Sequence, residues 1–479
     1  MTLLVRKLLA EGCWPNCWKL HWVIPLHKRK AVTDPGNYRG VHLTTVLSKV
    51  VERVLNTLLA PYLKAADAFG QSQFGFQRGL SCSDLVATLV NSWILALNRR
   101  QKVGVYLSDI SGAFDKVKTK RLLAKLRAAG LNDTFLAFFD NYLASRAALV
   151  LVGGESSAEL ELKNTVFQGT VLGPSLWNTF FKDVRTAAES TGGRESKFAD
   201  DLSVTKEYNK STKNEEVLAD LQRCQENVHQ WGEANRVEFD PTKEEFAVVH
   251  HREGEGPDFR LLGPVFDSKL LMHKAVQKVL GKARPKLQAL LQTQRFYSTG
   301  AMVEQFKTHL LCTLESCNAA IYHAADSVLE PLGHVQETFL RKVGFTKEEA
   351  FLEYNLGTLS WRRDVAMLGL LRKCTLGQAH PRLRELFPSV TRQPAVYSTR
   401  YAERRHSKQL LERCTGDFLE LTRRSLFGLV RVYNFLPELV VQTDTVKEFQ
   451  ALLTATAKEH CRQGRAWESM YSPRCTRQG

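Results

Sequence analysis

The sequence predicts an α+β fold that ends in a helical C-terminal region, and two observations lead to this prediction. Between residues 103 and 265, short apolar runs rich in β-branched residues are mixed with segments of helical periodicity. From about Lys269 onward the periodicity is helical and strand-like runs are few. A chain of 479 residues with 44% hydrophobic content is long enough for about two to four subdomains and too apolar to be mostly disordered.

Individual elements follow from the spacing of apolar residues. Helical spacing predicts helices at residues 43–59, 83–98, 118–129, 172–181 and 274–289. Short apolar or β-branched runs predict strands at residues 103–108, 148–152, 197–199 and 202–205. Pro285 is expected to kink the last helix. The aromatic residues of the segment 172–181, which include Trp177, are interpreted as core packing.

Three carboxylates stand where predicted strands end. Asp109 follows the strand at 103–108, and Asp200 and Asp201 separate two strand-like pieces, which predicts a hairpin with both acids in its turn. Side by side, these elements would cluster three negative charges, and such a cluster persists only if cations neutralise it. Two divalent cations about 3.5–4 Å apart, held by carboxylates, can activate a hydroxyl and stabilise leaving phosphates. The acids therefore suggest a polymerase, whereas Asp115 is interpreted as a structural charge.

An Asp-Asp dipeptide alone is more often a solvated turn, so the order of the other motifs decides between the two interpretations. Six blocks follow one another: WVIPLHK (22–28), DPGNYRGV (34–41), QFGFQRGLSC (73–82), DISGAFDKV (109–117), FQGTVLGP (167–174) and FADD (198–201). In this order the chain resembles the reverse transcriptases of non-LTR (LINE-type) retrotransposons along most of its first 270 residues. One departure is Phe167, which stands where the family commonly has proline.

The resemblance implies a right-hand polymerase with fingers, a ferredoxin-like palm and a thumb, followed by a helical C-terminal region. The corresponding ranges are 1–102 for the fingers and N-terminal helices, 103–265 for the palm with interleaved fingers elements, 266–345 for the helical thumb, and 346–479 for a helical region of unassigned role. It also implies an RNA-directed DNA polymerase, a nucleotidyltransferase that extends a DNA primer or target DNA with dNTPs on an RNA template.

The resemblance also assigns roles around the incoming nucleotide. Lys28 and Arg39 would hold the triphosphate, a task suited to a point charge and a forked guanidinium. Phe114 would exclude a ribose 2′-hydroxyl by its volume, and Gln168 and Gly169 would lie under the template base and the incoming sugar. Alternatively, Lys28 and Arg39 belong to a basic surface. Phe114 could also pack in the core, an interpretation that is compatible with its exclusion of a 2′-hydroxyl.

The remaining assignments concern metals and proton transfer. The resemblance implies that Asp109, Asp200 and Asp201 hold two Mg²⁺ ions, with Mn²⁺ as an alternative. Lys243 would protonate the departing pyrophosphate. The motif around Lys243 is short, so a surface lysine is the competing interpretation.

Composition agrees with a partner made of nucleic acid. The net charge is +16 and the pI is about 9.4, as expected for a surface that follows phosphate backbones. Residues 399–408 form a basic segment that could contact template RNA or serve as a polar linker. The ten cysteines lack zinc-finger spacing. With no signal peptide and no apolar run of about 18 residues, we expect an intracellular protein of the nucleus or cytoplasm, without a membrane span.

Two alternatives stay open at this point. A group II intron maturase or an RNA-directed RNA polymerase would share the palm. A catalytically inactive, retroelement-derived fragment that binds nucleic acid would share the positive net charge.

Overall fold

A computed structural model describes residues 2–28, 31–110, 112–162, 166–390 and 406–474. The chain divides into two compact units. The first comprises residues 1–77, 106–205 and 219–244, and the second comprises residues 78–105, 206–218 and 245–479. The predicted boundaries of fingers, palm and thumb stay a prediction. Of the predicted basic segment, residues 399–405 lie outside the described residues.

Short helices and a mixed sheet make up much of the first unit. Its α-helices are Thr2–Glu11, Val46–Ala65, Thr119–Ala128, Asp133–Leu143, Gly173–Phe181 and Val184–Ala188, and its 3-10 turns are Asn16–Trp18, Pro35–Asn37, Phe114–Lys116 and Pro241–Lys243. One sheet has the strand order Tyr38–Leu43, Leu20–His27, Arg146–Val152, Glu155–Ser156, with Leu160–Leu162 also paired to Arg146–Val152. The strand Leu20–His27 is antiparallel to Tyr38–Leu43 and parallel to Arg146–Val152.

The strands that carry the predicted acids belong to a four-stranded sheet. Its order is Arg194–Phe198, Asp201–Asn209, Gln101–Ser108, Glu245–Val249. The strand Gln101–Ser108 is buried from Lys102 to Ser108, as its apolar sequence predicts, and Asp109 follows at its end. The helix Asn214–Asn235 begins in the second unit and continues into the first.

The hairpin differs from the prediction by one residue. Phe198 pairs with Asp201 across the hairpin, so the two turn residues are Ala199 and Asp200, and Asp201 begins the second strand. Ala199 has a φ of +59°, the sign that tight two-residue hairpins require at their first turn position. The prediction that both acids lie in the turn was therefore wrong.

The first long helix is also displaced from its prediction. It spans Val46–Ala65 instead of 43–59. It begins later because Thr45 Oγ1 accepts a hydrogen bond from the backbone N–H of Ser48 and caps the helix. It ends later because buried Leu63 extends the apolar stripe by a further turn.

Beyond the sheet strands, the second unit is almost entirely helical in its described part. Its α-helices are Cys82–Asn98, His273–Gln292, Thr299–Phe306, Cys312–Leu314, Asn318–Ile321, Asp326–Val343, Lys347–Tyr354, Leu359–Thr375, Pro381–Leu386, Leu419–Arg423, Leu426–Asn434, Glu438–Val441 and Val446–Arg462. A 3-10 turn at Gln294–Phe296, a π-helical turn at Lys307–Leu311 and a small hairpin of Phe259–Arg260 and Val265–Phe266 complete it. The helix His273–Gln292 continues through Pro285.

The helix Cys82–Asn98 packs against three other helices of the second unit, Asn318–Ile321, Pro381–Leu386 and Leu419–Arg423. A reciprocal capping box between Ser81 and Asp84 fixes its start. Its Trp93 ring packs edge-on against Phe259 and Phe266, with ring centroids 6.0 and 5.7 Å apart. This helix is buried over most of its length, as expected for an element that is apolar on all sides.

No helix in the described ranges has the length and apolar character needed to cross a bilayer.

Candidate functional site

The first feature of the site is the pair of acids at the hairpin. Burial raises the pKa of Asp200, and the negative charge of Asp109 raises it further. Burial, followed by the charges of Asp200 and Asp109, raises the pKa of Asp201 to about 7. The charges of the three carboxylates therefore interact unfavourably in the folded chain, and their convergence into one metal site stays a prediction.

Lys243 lies directly against one of these acids. Its Nζ is 2.5 Å from Asp109 Oδ2 and 3.3 Å from Asp240 Oδ2. The backbone N–H of Asp240 donates to the carbonyl of Asp109 at 3.0 Å, which joins the turn that carries the lysine to the end of the acidic strand. Burial opposes the charged form of Lys243, but its hydrogen bonds to Asp109 and Asp240 outweigh that effect and raise its pKa. The lysine is thus part of the acidic site.

Glu244, the residue after Lys243, holds this turn in place through hydrogen bonds. Its carboxylate accepts hydrogen bonds from Tyr106 Oη (2.6 Å), Ser108 Oγ (3.0 Å), His229 Nε2 (2.8 Å) and Gln225 Nε2. A buried carboxylate with this many donors is fixed in place. Sequence reasoning missed Glu244, because its donors lie up to 138 residues away along the chain.

The donor chemistry fits hard divalent cations, which prefer carboxylate oxygens. Repelling, partly buried carboxylates are stabilised by positive charge, and the ammonium of Lys243 supplies such a charge at Asp109. Within the described part of the chain, no three His, Cys, Asp or Glu side chains are arranged to hold a metal ion.

Lys28 directly follows the strand Leu20–His27, and Arg39 lies on the neighbouring strand of the mixed sheet. Arg39 lies on the strand Tyr38–Leu43, and its charge lowers the proton affinity of Asp200. The exposed Lys28 donates from Nζ to the carbonyl of Gly36 at 3.1 Å. Its charge partly offsets the effect of burial, which raises the pKa of Asp115. Asp115 is therefore electrostatically linked to Lys28 and not to the three acids.

The Phe114 ring lies in an aromatic stack. It stacks on Trp177 with centroids 5.4 Å apart and meets Phe76 edge-on at 6.1 Å. Only 7% of Phe114 is exposed, so the core-packing interpretation holds for this ring. Trp177 also connects this stack to the hairpin that carries Asp200 and Asp201, because its Nε1 donates to the carbonyl of Ala199 at 3.0 Å.

The Gln168-Gly169 loop is held by backbone contacts. The carbonyl of Gln168 accepts from the N–H of His42 at 2.8 Å. Gly169 has a φ of +104°, and a Cβ there would lie 2.5 Å from the carbonyl oxygen of His42. Only glycine satisfies both conditions without distorting the loop.

A buried carboxylate holds the far end of this loop. Glu52 Oε2 accepts from the backbone N–H groups of Val171 (2.6 Å) and Leu172 (3.2 Å), just before the helix Gly173–Phe181. Glu52 is fully buried, and burial raises its pKa, while those two hydrogen bonds and then Arg146 act in the opposite direction.

The guanidinium of Arg146 is buried beside this loop. Its Nη1 donates to His21 Nε2 at 2.7 Å and to the carbonyl of Trp18 at 3.1 Å, and its Nε donates to the carbonyl of Tyr142 at 2.7 Å. His21 Nδ1 lies 3.1 Å from His42 Nδ1. We call the residues Glu52, Arg146, His21, His42 and Tyr142 the Arg146 cluster. No local pattern indicates this cluster, because its members are scattered over 126 residues of the chain.

The two histidines of the Arg146 cluster make stability depend on pH. Burial, followed by the charge of Arg146, lowers the pKa of His21 to about 3 and that of His42 to about 4. Both are neutral in the folded chain at pH 7, and the unfolded chain takes up their protons first as the pH falls below about 6.5. We expect the free energy of unfolding to decrease by up to about 1.4 kcal/mol per histidine for each pH unit below that value.

Urea unfolding at pH 6.5 and pH 5 measures this loss. The double variant His21→Gln/His42→Gln retains an acceptor for Arg146 but removes both titrating groups, so its stability should change less over the interval. Equal pH dependence in the two proteins would show that the histidines do not control it.

Comparison with known proteins identifies the family. The protein-family model described as "Reverse transcriptase (RNA-dependent DNA polymerase)" matches residues 26–289, more than half of the chain. The chain belongs to the reverse transcriptase family. Membership confirms the predicted right-hand polymerase class, and the observed α+β arrangement with a helical C-terminal region agrees with it.

Several relatives are polymerases of mobile elements. The RNA-directed DNA polymerase from mobile element jockey of Drosophila melanogaster is 30% identical over 291 residues, which cover 59% of this chain and 30% of the relative. The probable RNA-directed DNA polymerase from transposon X-element of the same organism is 28% identical over 208 residues, covering 43% and 23%. These matches confirm the resemblance to non-LTR reverse transcriptases. The chain matches less than a third of the length of either relative.

Among solved structures, a telomerase from Candida tropicalis in complex with a fragment of telomeric RNA is similar with a TM-score of 0.43 and 10% identity, covering 80% of this chain and 63% of that one.

Proposed function

We propose that this reverse transcriptase is an RNA-directed DNA polymerase of a non-LTR retrotransposon, which extends a primer with dNTPs on an RNA template. The observation that carries the proposal is the position of Asp109, which contacts Lys243 and follows a strand adjacent in the sheet to the strand that begins at Asp201. Burial raises the pKa of Asp200 and Asp201, and the negative charge of Asp109 helps to raise both further. A cluster of this kind suits a reaction in which charge develops on phosphate oxygens. An element of this class would work in the nucleus, the cytoplasm or both.

Asp109, Asp200 and Asp201 would hold two divalent cations, Mg²⁺ or alternatively Mn²⁺. When bound, these ions supply the positive charge that favours a nucleophilic primer hydroxyl and stabilises the leaving phosphates. The three side chains contribute the hard oxygen ligands that such ions require.

Lys243 is proposed to hold the proton that the departing pyrophosphate needs. Its raised pKa keeps the ammonium charged at neutral pH, which a general acid next to phosphates requires. Lys28 and Arg39 are proposed to bind the triphosphate. The influence of Arg39 on Asp200 supports this role, because a cation within range of the acids is also within range of an anionic substrate there.

Gln168 and Gly169 are proposed to lie under the template base and the incoming sugar. The close approach of Gly169 to the backbone of His42 supports a fixed loop that presents main chain instead of a side chain.

The template and primer are proposed to follow a basic face of the second unit. On the helix His273–Gln292, Lys274, Lys278 and Lys282 recur at helical spacing. Burial and the positive charges of Arg260 and Lys282 lower the pKa of Lys278. Like charges crowded on a helix are destabilising by themselves, and nucleic-acid phosphates would relieve that repulsion.

Primer extension tests the proposed function. The purified chain, supplied with poly(rA)/oligo(dT), dTTP and Mg²⁺, should lengthen the primer, and omission of the metal or the template should abolish the products. Binding of the template–primer without extension would overturn the proposal and support the inactive nucleic-acid-binding fragment.

Substitution of Phe114 by alanine should admit ribonucleotides. Removal of the ring opens the volume that a 2′-hydroxyl would occupy, so we expect the preference for dTTP over UTP to fall by about tenfold or more. The ratio of kcat/KM values for the two nucleotides measures it. Phe138→Ala, which removes another buried ring of the first unit, is the control and should leave the ratio unchanged. Unchanged sugar selectivity in the Phe114 variant would refute the gate.

A further inference from the structure

The residue before the catalytic acids has an unfavourable backbone conformation. Ala199 has a φ of +59°, in the left-handed region that residues with a Cβ rarely adopt. Such a conformation persists only where surrounding contacts enforce it, and it occurs most often at functional sites. Because Asp200 is the next residue, the orientation of its carboxylate depends on that peptide.

Gln73 contacts both polar groups of Ala199. Its Oε1 accepts from the N–H of Ala199 at 3.0 Å, and its Nε2 donates to the carbonyl of Ala199 at 3.2 Å. The same Oε1 accepts from the N–H of Gly75 at 2.8 Å, which fixes the amide orientation. The side chain is fully buried and lies 126 residues away along the chain.

The peptide that carries Gln73 is itself fixed against the hairpin. The N–H of Phe74 donates to the carbonyl of Lys197 at 2.8 Å, and the N–H of Lys197 donates to the carbonyl of Ser72 at 2.9 Å. A Cβ on Gly75 would lie 2.2 Å from the backbone nitrogen of Ala199, so the two backbones are as close as glycine permits.

Trp177 provides a third contact to the same peptide. Its Nε1 donates to the carbonyl of Ala199 at 3.0 Å, and the face of its ring stacks on Phe114 at 5.4 Å. Trp177 is fully buried on the helix Gly173–Phe181. One side chain thus connects the peptide before Asp200 with the ring proposed to select the sugar.

We propose that Gln73 and Trp177 are positioning residues that hold Ala199 in its left-handed conformation and thereby orient the carboxylate of Asp200. Trp177 also supports Phe114, so it couples the orientation of the acids to sugar selection. This inference rests on the proposed function and deepens it. Together, Gln73 and Trp177 are called the Ala199 clamp.

The first test asks whether glycine at position 199, which adopts a positive φ without strain, compensates for the loss of the Gln73 side chain. Gln73→Leu removes the three hydrogen bonds of the side chain at similar volume, and we expect kcat for dTTP incorporation to fall about tenfold or more with little change in the KM for template–primer. The double variant Gln73→Leu/Ala199→Gly should recover part of this loss, because glycine adopts the left-handed conformation without a Cβ penalty. A Gln73→Leu loss that Ala199→Gly does not reduce would overturn the clamp.

The second test separates the two contacts of Trp177. Trp177→Phe keeps a ring against Phe114 but removes the N–H, so kcat should fall while the preference for dTTP over UTP is retained. Trp177→Leu removes both contacts, so the preference should also fall, about fivefold or more. If Trp177 had only a structural role, both variants would lose activity, but their preferences for dTTP over UTP would not differ.

A third measurement is independent of polymerase activity. In the unmodified chain, hydrogen–deuterium exchange of peptides that span residues 194–202 should be slow at Ala199 and about tenfold or more faster in Gln73→Leu. Gln336→Leu is the matched control, because it removes an equally buried glutamine from the second unit and should not alter this exchange. Unchanged exchange in Gln73→Leu would refute the clamp even if the chain extends no primer, whereas absent extension with altered exchange would refute only the proposed function.

Discussion

Asp200→Asn is expected to reduce dNTP incorporation at least about 100-fold while the fold stays intact. The substitution removes a negative charge with little change in volume, so packing around the hairpin is preserved. If Asp200 holds a cation as proposed, the variant loses a charged oxygen ligand, and even changes in residues that only hydrogen-bond to metal ligands cost about 10–100-fold. Asp109→Asn should have an effect of the same size.

Primer extension, with the melting temperature measured in parallel, checks this expectation. Asp133→Asn removes an exposed acid that pairs with Arg127 at 2.9 Å, and it should leave the rate unchanged. Full activity in both active-site variants would refute the assignment of the acids. Loss of activity together with loss of the folded state would show only that the acids stabilise the fold, a result that the raised pKa values of Asp200 and Asp201 argue against, since their repulsion is destabilising.

Substitution of Glu52 by leucine is expected to cause the largest loss of stability, about 3–5 kcal/mol. The change leaves the N–H groups of Val171 and Leu172 without their acceptor and removes the negative charge that acts on buried Arg146. A buried charge without compensation and two unpaired donors are among the most costly defects in a protein interior.

Urea unfolding at pH 7 measures this loss. Glu52→Gln is the matched variant, because it keeps an oxygen that can accept from Val171 but loses the charge, and it should cost less, about 1–2 kcal/mol. Near-equal stability of all three proteins would show that Arg146 and the loop are held by other contacts. We also expect Glu52→Leu to lower activity, since the loop that contains Gln168 and Gly169 would lose its support.

Local patterns were sufficient for the strand that precedes Asp109 and for the helix Thr119–Ala128. The strand Gln101–Ser108 was predicted at 103–108 because a buried strand requires apolar residues at every position. The helix Thr119–Ala128 was predicted at 118–129 from its apolar face and Gly130. Lys243 was assigned from a short motif, and the structure brings it to Asp109.

The hairpin shows where local patterns fail. Polar residues at 200 and 201 favoured a turn made of both acids, because Asp is common in turns. The pairing of Phe198 with Asp201 moves the turn back by one residue and requires a positive φ at Ala199, a residue with no preference for it. That conformation is enforced by Gln73 and Trp177, whose contacts no local pattern reveals.

The sequence by itself determined the family and the α+β class, since each depends on residue types and their order along the chain. Only the tertiary structure decided how the acids are supported. Glu52, Gln73 and Trp177 each bond to backbone groups at least 22 residues away, and Glu244 accepts hydrogen bonds from four side chains up to 138 residues away. A hydrogen bond to a backbone group leaves no signature in the partner's side chain, so folding alone specifies which residue makes it.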